Sequence, residues 1–233
     1  MQPNSPVMLY TDLKKDSESL SDKVFSILES GILNATYPSG MSLNECDIAE
    51  SLNVSRSPVR EALVKLESAG LVKRTKRGRV VAEIGPDDIQ HSYEIWQMVE
   101  SFAAARGCLL YNDTQMQTIQ QAFDALVRHT QTGNVEEYRK ANFEFHARLV
   151  APCSNPYLIS IYQSAINRVK WASLYSLEEK NEIVGSASGH REILEAYRTR
   201  SDKKVYDLLS AHIFNAEQRT KNKYFSRMKM TQK

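Results

Sequence analysis

Asn53-Val54-Ser55-Arg56-Ser57-Pro58-Val59-Arg60-Glu61-Ala62-Leu63 is the stretch that decides how the first third of this chain folds. Asn53-Val54-Ser55 reads as a turn between two helices. Ser57 offers a hydroxyl to cap the second of them, and Pro58 suits its first turn, where a missing N–H costs nothing. Val59, Ala62, Leu63 and Leu66 recur at steps of three and four and form one apolar stripe. Gly70 is the expected left-handed stop. Arg56, Ser57 and Arg60 lie on the opposite side, and the two arginines, four apart, share a face.

Outward from this helix the pattern stays consistent. Upstream, Val24, Ile27, Leu28, Ile32 and Leu33 mark an amphipathic helix from Ser21 that Tyr37-Pro38-Ser39-Gly40 stops. Asn44 then caps a short helix, with Asp47 as the other half of a capping-box-like pair and Ile48, Ala49 and Leu52 as the buried face. Downstream, residues 71–74 and 79–84 are rich in branched side chains and joined by Thr75-Lys76-Arg77-Gly78, a β-hairpin. Three helices plus a hairpin predict a winged helix-turn-helix. A major groove about 12 Å wide admits one α-helix, and the N-terminal residues of the third helix then face base edges. A guanidinium is a planar fork that matches guanine O6 and N7, which suits arginine rather than lysine at positions 56 and 60. The hairpin tip, Lys76-Arg77-Gly78-Arg79, reaches phosphates or the minor groove, Gly78 allowing close backbone approach.

Charge points the same way. Residues 56–79 hold eight basic side chains against two acidic ones, while the whole chain carries only +2. Such a local excess attracts polyanions, chiefly nucleic acid. The overall composition, 42% hydrophobic and 25% charged over 233 residues, is that of an ordinary globular chain of one large or two modest domains. It excludes a disordered or collagen-like chain, and no window approaches the roughly 18 consecutive apolar residues of a membrane span. Cys46, Cys108 and Cys153 are widely spaced without a CxxC pair, and the first twenty residues show no apolar leader; the expectation is a cytoplasmic protein with reduced thiols.

Residues 1–18 are polar and read as a mobile arm, residues 19–85 as the DNA-binding unit, and Gly85-Pro86 as the boundary. Residues 86–229 carry almost no strand signal. Helical patterns over about 87–110, 114–130, 135–150, from 156 onward, 188–199 and 202–222 predict an antiparallel six-helix bundle, so the chain is mostly α. Cavities in such bundles are natural ligand sites. Asn142 and His146 share a helix face; His190 begins the stripe of Ile193, Leu194 and Tyr197; His212 continues that of Val205, Leu208 and Leu209. Three inward imidazoles with an oxygen donor suit a divalent transition metal such as zinc or nickel, although from spacing alone buried histidines bonded to neighbours are the commoner arrangement. An enzymatic use lacks a base: the metal-facing stripes show no carboxylate, and Glu144 is turned about 160–200° from His146.

The stretch 24–82, above all residues 53–63 quoted above and Leu66-Glu67-Ser68-Ala69-Gly70-Leu71-Val72, resembles the winged-helix domain of GntR-type bacterial transcription regulators, in their FadR subfamily. The resemblance implies that Arg56, Ser57 and Arg60 contact bases and phosphates and that Arg77 and Gly78 form the wing-tip contact. Cys46 stands where the fatty-acid regulator of that subfamily carries a further DNA-contacting arginine, so that contact is expected to be absent. The C-terminal part, through Phe145-His146, Ser154-Asn155-Pro156, Gly189-His190-Arg191 and Ala211-His212, is similar to the FCD ligand-binding domain. That likeness implies a metal held by Asn142, His146, His190 and His212. Asn142 replaces the usual carboxylate, and a neutral amide weakens the site. It also implies an organic- or sugar-acid effector. Trp96 stands where many relatives have an arginine, four residues before Glu100, and can stack on a ring or line a wall; Arg168 and Arg191 are the candidate carboxylate partners. A homodimer on a short pseudo-palindromic DNA operator completes the expectation, the effector shifting the placement of the two recognition helices.

Overall fold

The computed structural model describes residues 19–231 apart from residues 35, 84 and 174–179; the arm expected over residues 1–18 lies outside the described residues. The chain forms two compact units that divide after residue 84.

The first unit contains α1 (Leu20–Leu33), β1 (Ser42–Leu43), α2 (Glu45–Ser51), α3 (Arg56–Ser68), β2 (Val72–Thr75) and β3 (Gly78–Val81). Val24, Leu28 and Ile32 of α1 are buried with Val59, Leu63 and Leu66 of α3, and the two helices pack together. Each such side chain contributes about 1.5–3 kcal/mol on burial, so this pairing is the unit's main adhesive. The turn between α2 and α3 is set by Asn53, whose φ of 50° is left-handed. The Val54 N–H reaches back to the Ala49 carbonyl and the Asn53 N–H to that of Glu50, closing α2 in a Schellman turn. Gly70, at φ 73°, ends α3 in the same way.

Two local expectations need correction. The N-cap of α3 is Ser55, not Ser57, so Arg56, Ser57 and Pro58 form its first turn. Pro58 still falls among the first positions, whose N–H groups have no partner within the helix. Asn44 caps α2 by accepting from the Cys46 N–H instead of joining Asp47 in a capping box. The strand β1 went unforeseen. It pairs antiparallel with β3, giving the order β1-β3-β2, and two residues are too few to show a period.

The second unit holds α4 (Pro86–Leu110), α5 (Asp113–Thr132), α6 (Val135–Val150), a 3-10 turn (Ala151–Cys153), α7 (Pro156–Ala172), α8 (Lys180–Arg198) and α9 (Asp202–Thr231). Asparagines 112, 134 and 155 cap α5, α6 and α7 through their side-chain oxygens. Helix α4 packs against α6, α7 and α9, and α8 against α5 and α9. Helix α8 starts at Lys180 rather than 188, and α9 runs to Thr231 rather than 222. Those added turns hold apolar residues, Ile183 among them buried, but too few at helical spacing to extend the stripes. Among the described residues no helix is long and apolar enough to cross a membrane.

Candidate nucleic-acid interface and candidate metal centre

Arg56, Ser57 and Arg60 stand exposed on the first turns of α3, and Arg77 and Gly78 at the exposed tip of the wing. A groove of about 470 Å³ is lined by Glu45, Arg56, Arg74, Arg77, Gly78 and Arg79, so the head of α3 and the wing face one space. Gly78 sits at φ 123° with nothing within 4 Å of where a Cβ would stand. The backbone angle, not crowding, requires glycine there. Ser57 does not cap the helix; its hydroxyl lies 3.5 Å from Glu61.

The basic excess is only partly outward. Lys65 pairs with Asp22, Lys73 with Glu83, and Arg74 with Glu67, all on substantially exposed lysines or arginines. Such pairs are worth about 0–1 kcal/mol, so they leave these cations available to phosphate. Arg79 differs: only 10% exposed, it bonds Glu45 at 2.8 Å and Glu67 at 3.2 Å, fixing β3 to α2 and to the end of α3. Arg56 and Arg60 remain 59% and 62% exposed, and both lean on Glu45, which is 18% exposed. Arg60 donates from Nε and Nη2 to one Glu45 oxygen, each at 3.2 Å. The Arg60 hydrogen bonds, followed by those of Arg79, hold the Glu45 carboxyl below its usual range despite its partial burial. Sequence reasoning missed Glu45, because a pairing across fifteen positions and a turn has no periodic signature.

In the second unit, His146 from α6, His190 from α8 and His212 from α9 offer nitrogens all within 4.8 Å of one another. His146 presents Nδ1 to Glu100, whose other oxygen accepts from the indole N–H of Trp96. This turns His146 Nε2 toward His190 Nε2, 3.3 Å away. Two nitrogens bound tetrahedrally to zinc at about 2.0–2.1 Å are separated by about 3.3 Å, so this edge already has the span a metal needs. Burial, together with the neighbouring imidazoles, holds His190 and His212 well below the ordinary histidine range. They are therefore neutral, the form that ligates. The donor set fits a divalent transition metal.

Glu100 corrects the expectation that no carboxylate reaches this site. Fully buried on α4, it has both oxygens engaged, so it orients His146 instead of serving as a free base. Its signal lay in its spacing, four positions after Trp96 on one face of α4, and not in any of the histidine stripes.

Asn142, buried beside this cluster, lines a cavity of about 20 Å³ together with Trp96, Phe143, His212, Arg139 and Arg219. That is room for a water but not for an organic acid, so an effector requires these side chains to part. Arg168 and Arg191 do not line the cavity. Arg168 is exposed on α7, one position before buried Val169, and Arg191, one position past His190, is exposed over the buried Phe123 ring at 5.6 Å. A single helical step carries a side chain about 100° around the axis, enough to turn it out. Arg139 and Arg219 supply the cavity's cationic groups, and Arg219 Nε is buried with no hydrogen-bond partner among the described residues. Their signal was legible in principle: Arg139 is three positions before Asn142, and Arg219 seven after His212.

A winged helix with arginines exposed at the head of its third helix, followed by an all-helical unit gathering three histidines, is the architecture of a two-domain DNA-binding regulator. Residues 20–81 match the bacterial regulatory proteins of the gntR family, and residues 91–215, more than half the chain, match the FCD domain. The chain belongs to the GntR family of bacterial regulatory proteins, with the FCD effector-binding domain that goes with the FadR subfamily. It is 29% identical over 148 residues to an HTH-type transcriptional regulator of the TAR-I ttuE-ttuC' intergenic region of Agrobacterium vitis, covering 60% of this chain and 86% of that one. It is 23% identical over 201 residues to the HTH-type transcriptional repressor RspR of Escherichia coli, covering 84% and 87%. The solved structure of E. coli McbR/YncC shares the fold with a TM-score of 0.79 at 20% identity, covering 89% of this chain and 99% of that one. A metal-free FCD domain, that of TM0439, aligns with a TM-score of 0.52 at 16% identity over 62% of this chain and 99% of its own. These relatives are transcription regulators, not enzymes.

Proposed function

We propose that the protein reads a short pseudo-palindromic operator as a homodimer and changes its grip on DNA when a small carboxylate-bearing effector enters the helical unit. The carrying observation is the exposed pair Arg56 and Arg60 at the head of α3, beside a wing tip that presents Arg77 and Gly78 to the same side. In this reading Arg56, Ser57 and Arg60 contact base edges and nearby phosphates, while Arg77 and the Gly78 backbone contact phosphate. One recognition helix per chain calls for a second copy to read two half-sites. Helix α4 exposes Ile95, Met98, Phe102 and Leu109 within one narrow stripe, and α7, which packs on α4, exposes Tyr157 and Ile161. Covering these apolar groups favours the dimer.

In the helical unit, His146, His190 and His212, with Asn142 beside them, would hold zinc or nickel. Bound there, the metal supplies a Lewis-acidic cation for an effector carboxylate. Glu100 fixes the His146 ring, Trp96 forms the wall over it, and Arg219 and Arg139 add positive charge to the cavity. An effector acts only by binding one arrangement of the dimer better than the other.

Selection of duplexes from a randomised pool by the purified full chain tests this reading. The expected product is two related half-sites spaced about one helical turn apart. A pool that fails to enrich, or that yields one unsymmetrical site, overturns the dimeric operator reading.

A further inference from the structure

We infer that Glu45 is a positioning residue for base recognition: it braces Arg60 and Arg56 so that their free edges are presented to DNA already ordered. The inference rests on the assignment of Arg56 and Arg60 as base readers. A guanidinium carries five N–H groups. Arg60 gives Nε–H and one Nη2–H to a single oxygen of Glu45. Both belong to the side edge of the fork. The end edge, made of an Nη1–H and the second Nη2–H, stays free, and this is an edge that can bond guanine O6 and N7 together.

The other Glu45 oxygen receives Arg79 at 2.8 Å, and Arg79 is anchored in turn by Glu67. Glu45 is therefore held from behind by a nearly buried arginine while it holds two exposed ones in front, Arg56 at 3.6 Å. An unbraced arginine must lose its rotamer freedom when it meets the base, and that loss subtracts from the contact. A carboxylate so close to a phosphate-binding surface is electrostatically unfavourable for DNA in general. Its placement improves discrimination at the expense of indiscriminate affinity.

That opposition makes the idea testable. Affinity of the full chain is measured for a duplex selected from a random pool by the wild type and for a scrambled duplex of equal composition. Glu45→Gln keeps size and removes charge. Binding of the scrambled duplex should hold or tighten, while the ratio of selected to scrambled affinity falls by about fivefold or more, the low end of what one bidentate arginine–guanine contact is worth. Glu45→Asp keeps the charge but withdraws it by one methylene; it should lower the ratio without tightening the scrambled duplex. Melting temperatures of both variants verify that the winged unit is folded. A ratio unchanged in Glu45→Gln, or two affinities that fall equally, would show a merely structural strut and overturn the inference. Arg60→Ala separates the two layers: if it relaxes discrimination while Glu45→Gln does not, the reader assignment survives and the brace fails.

Discussion

The Arg200 guanidinium lies 4.0 Å from the centre of the Tyr111 ring, while its N–H groups donate to the backbone carbonyls of Cys108, Leu109 and Tyr111. Helix α4 has no basic residue in its own last turn, so a side chain from the turn between α8 and α9 serves as its C-cap. The backbone of Arg200 itself is left-handed, at φ 52°, where it closes α8. Arg200→Ala removes the cation–π contact and three charge-assisted bonds and should destabilise the helical unit by about 2 kcal/mol. Arg200→Gly loses the same contacts but relieves the left-handed strain, recovering about 1 kcal/mol. Thermal melting should therefore rank wild type above Gly above Ala; Ala melting at or above Gly would show that the backbone angle carries no strain.

Gly189 gives a prediction of two opposite signs. A Cβ at this helical position would stand 3.1 Å from His212 Nδ1. In a helix interior Gly→Ala gains about 0.5–1 kcal/mol, so metal-free Gly189→Ala should melt no lower than wild type. Displacing the His212 ring by a few tenths of an ångström should nevertheless weaken zinc binding at least about tenfold, the scale of a disturbed supporting contact. Competition titration with a zinc chelator measures this, and an unaltered zinc affinity would remove His212 from the ligand set.

The elements most legible in the sequence were those with a repeating face or a capping residue. Val59 to Leu66 announced α3, Asn44 stands as the expected cap of α2, and the structure gathers His146, His190 and His212, whose stripes alone left their meeting open. What escaped was whatever depended on packing between distant elements. Glu100 reaches His146 across forty-six positions, and Glu45 reaches Arg60 across fifteen. Arg168 and Arg191 were named for residue type without regard to helical phase, and the small cavity is lined instead by Arg139 and Arg219. One step around a helix separates His190 in the cluster from Arg191 on the outside.

Acidity should report on Glu45. Its folded carboxyl titrates below the usual value, so the unfolded chain takes up the proton first and acid favours unfolding. The stability it confers is complete above about pH 4.5, the unfolded value, and is lost as pH falls through the lower folded one. The melting difference of the winged unit between wild type and Glu45→Gln should be constant from neutral pH down to about 4.5 and close below it. A difference that persists unchanged into strong acid would place its origin elsewhere than the charge.

Arg60 decides whether α3 is the reading helix. The Arg60→Ala protein should bind its selected duplex about 1–3 kcal/mol more weakly and accept any base at one position of each half-site, while Arg77→Ala weakens all sequences alike and makes the salt dependence shallower. Parallel binding titrations of the two variants over a panel of single-base-substituted duplexes would separate these effects. If Arg60→Ala keeps full affinity and full discrimination at every position, α3 does not read the operator.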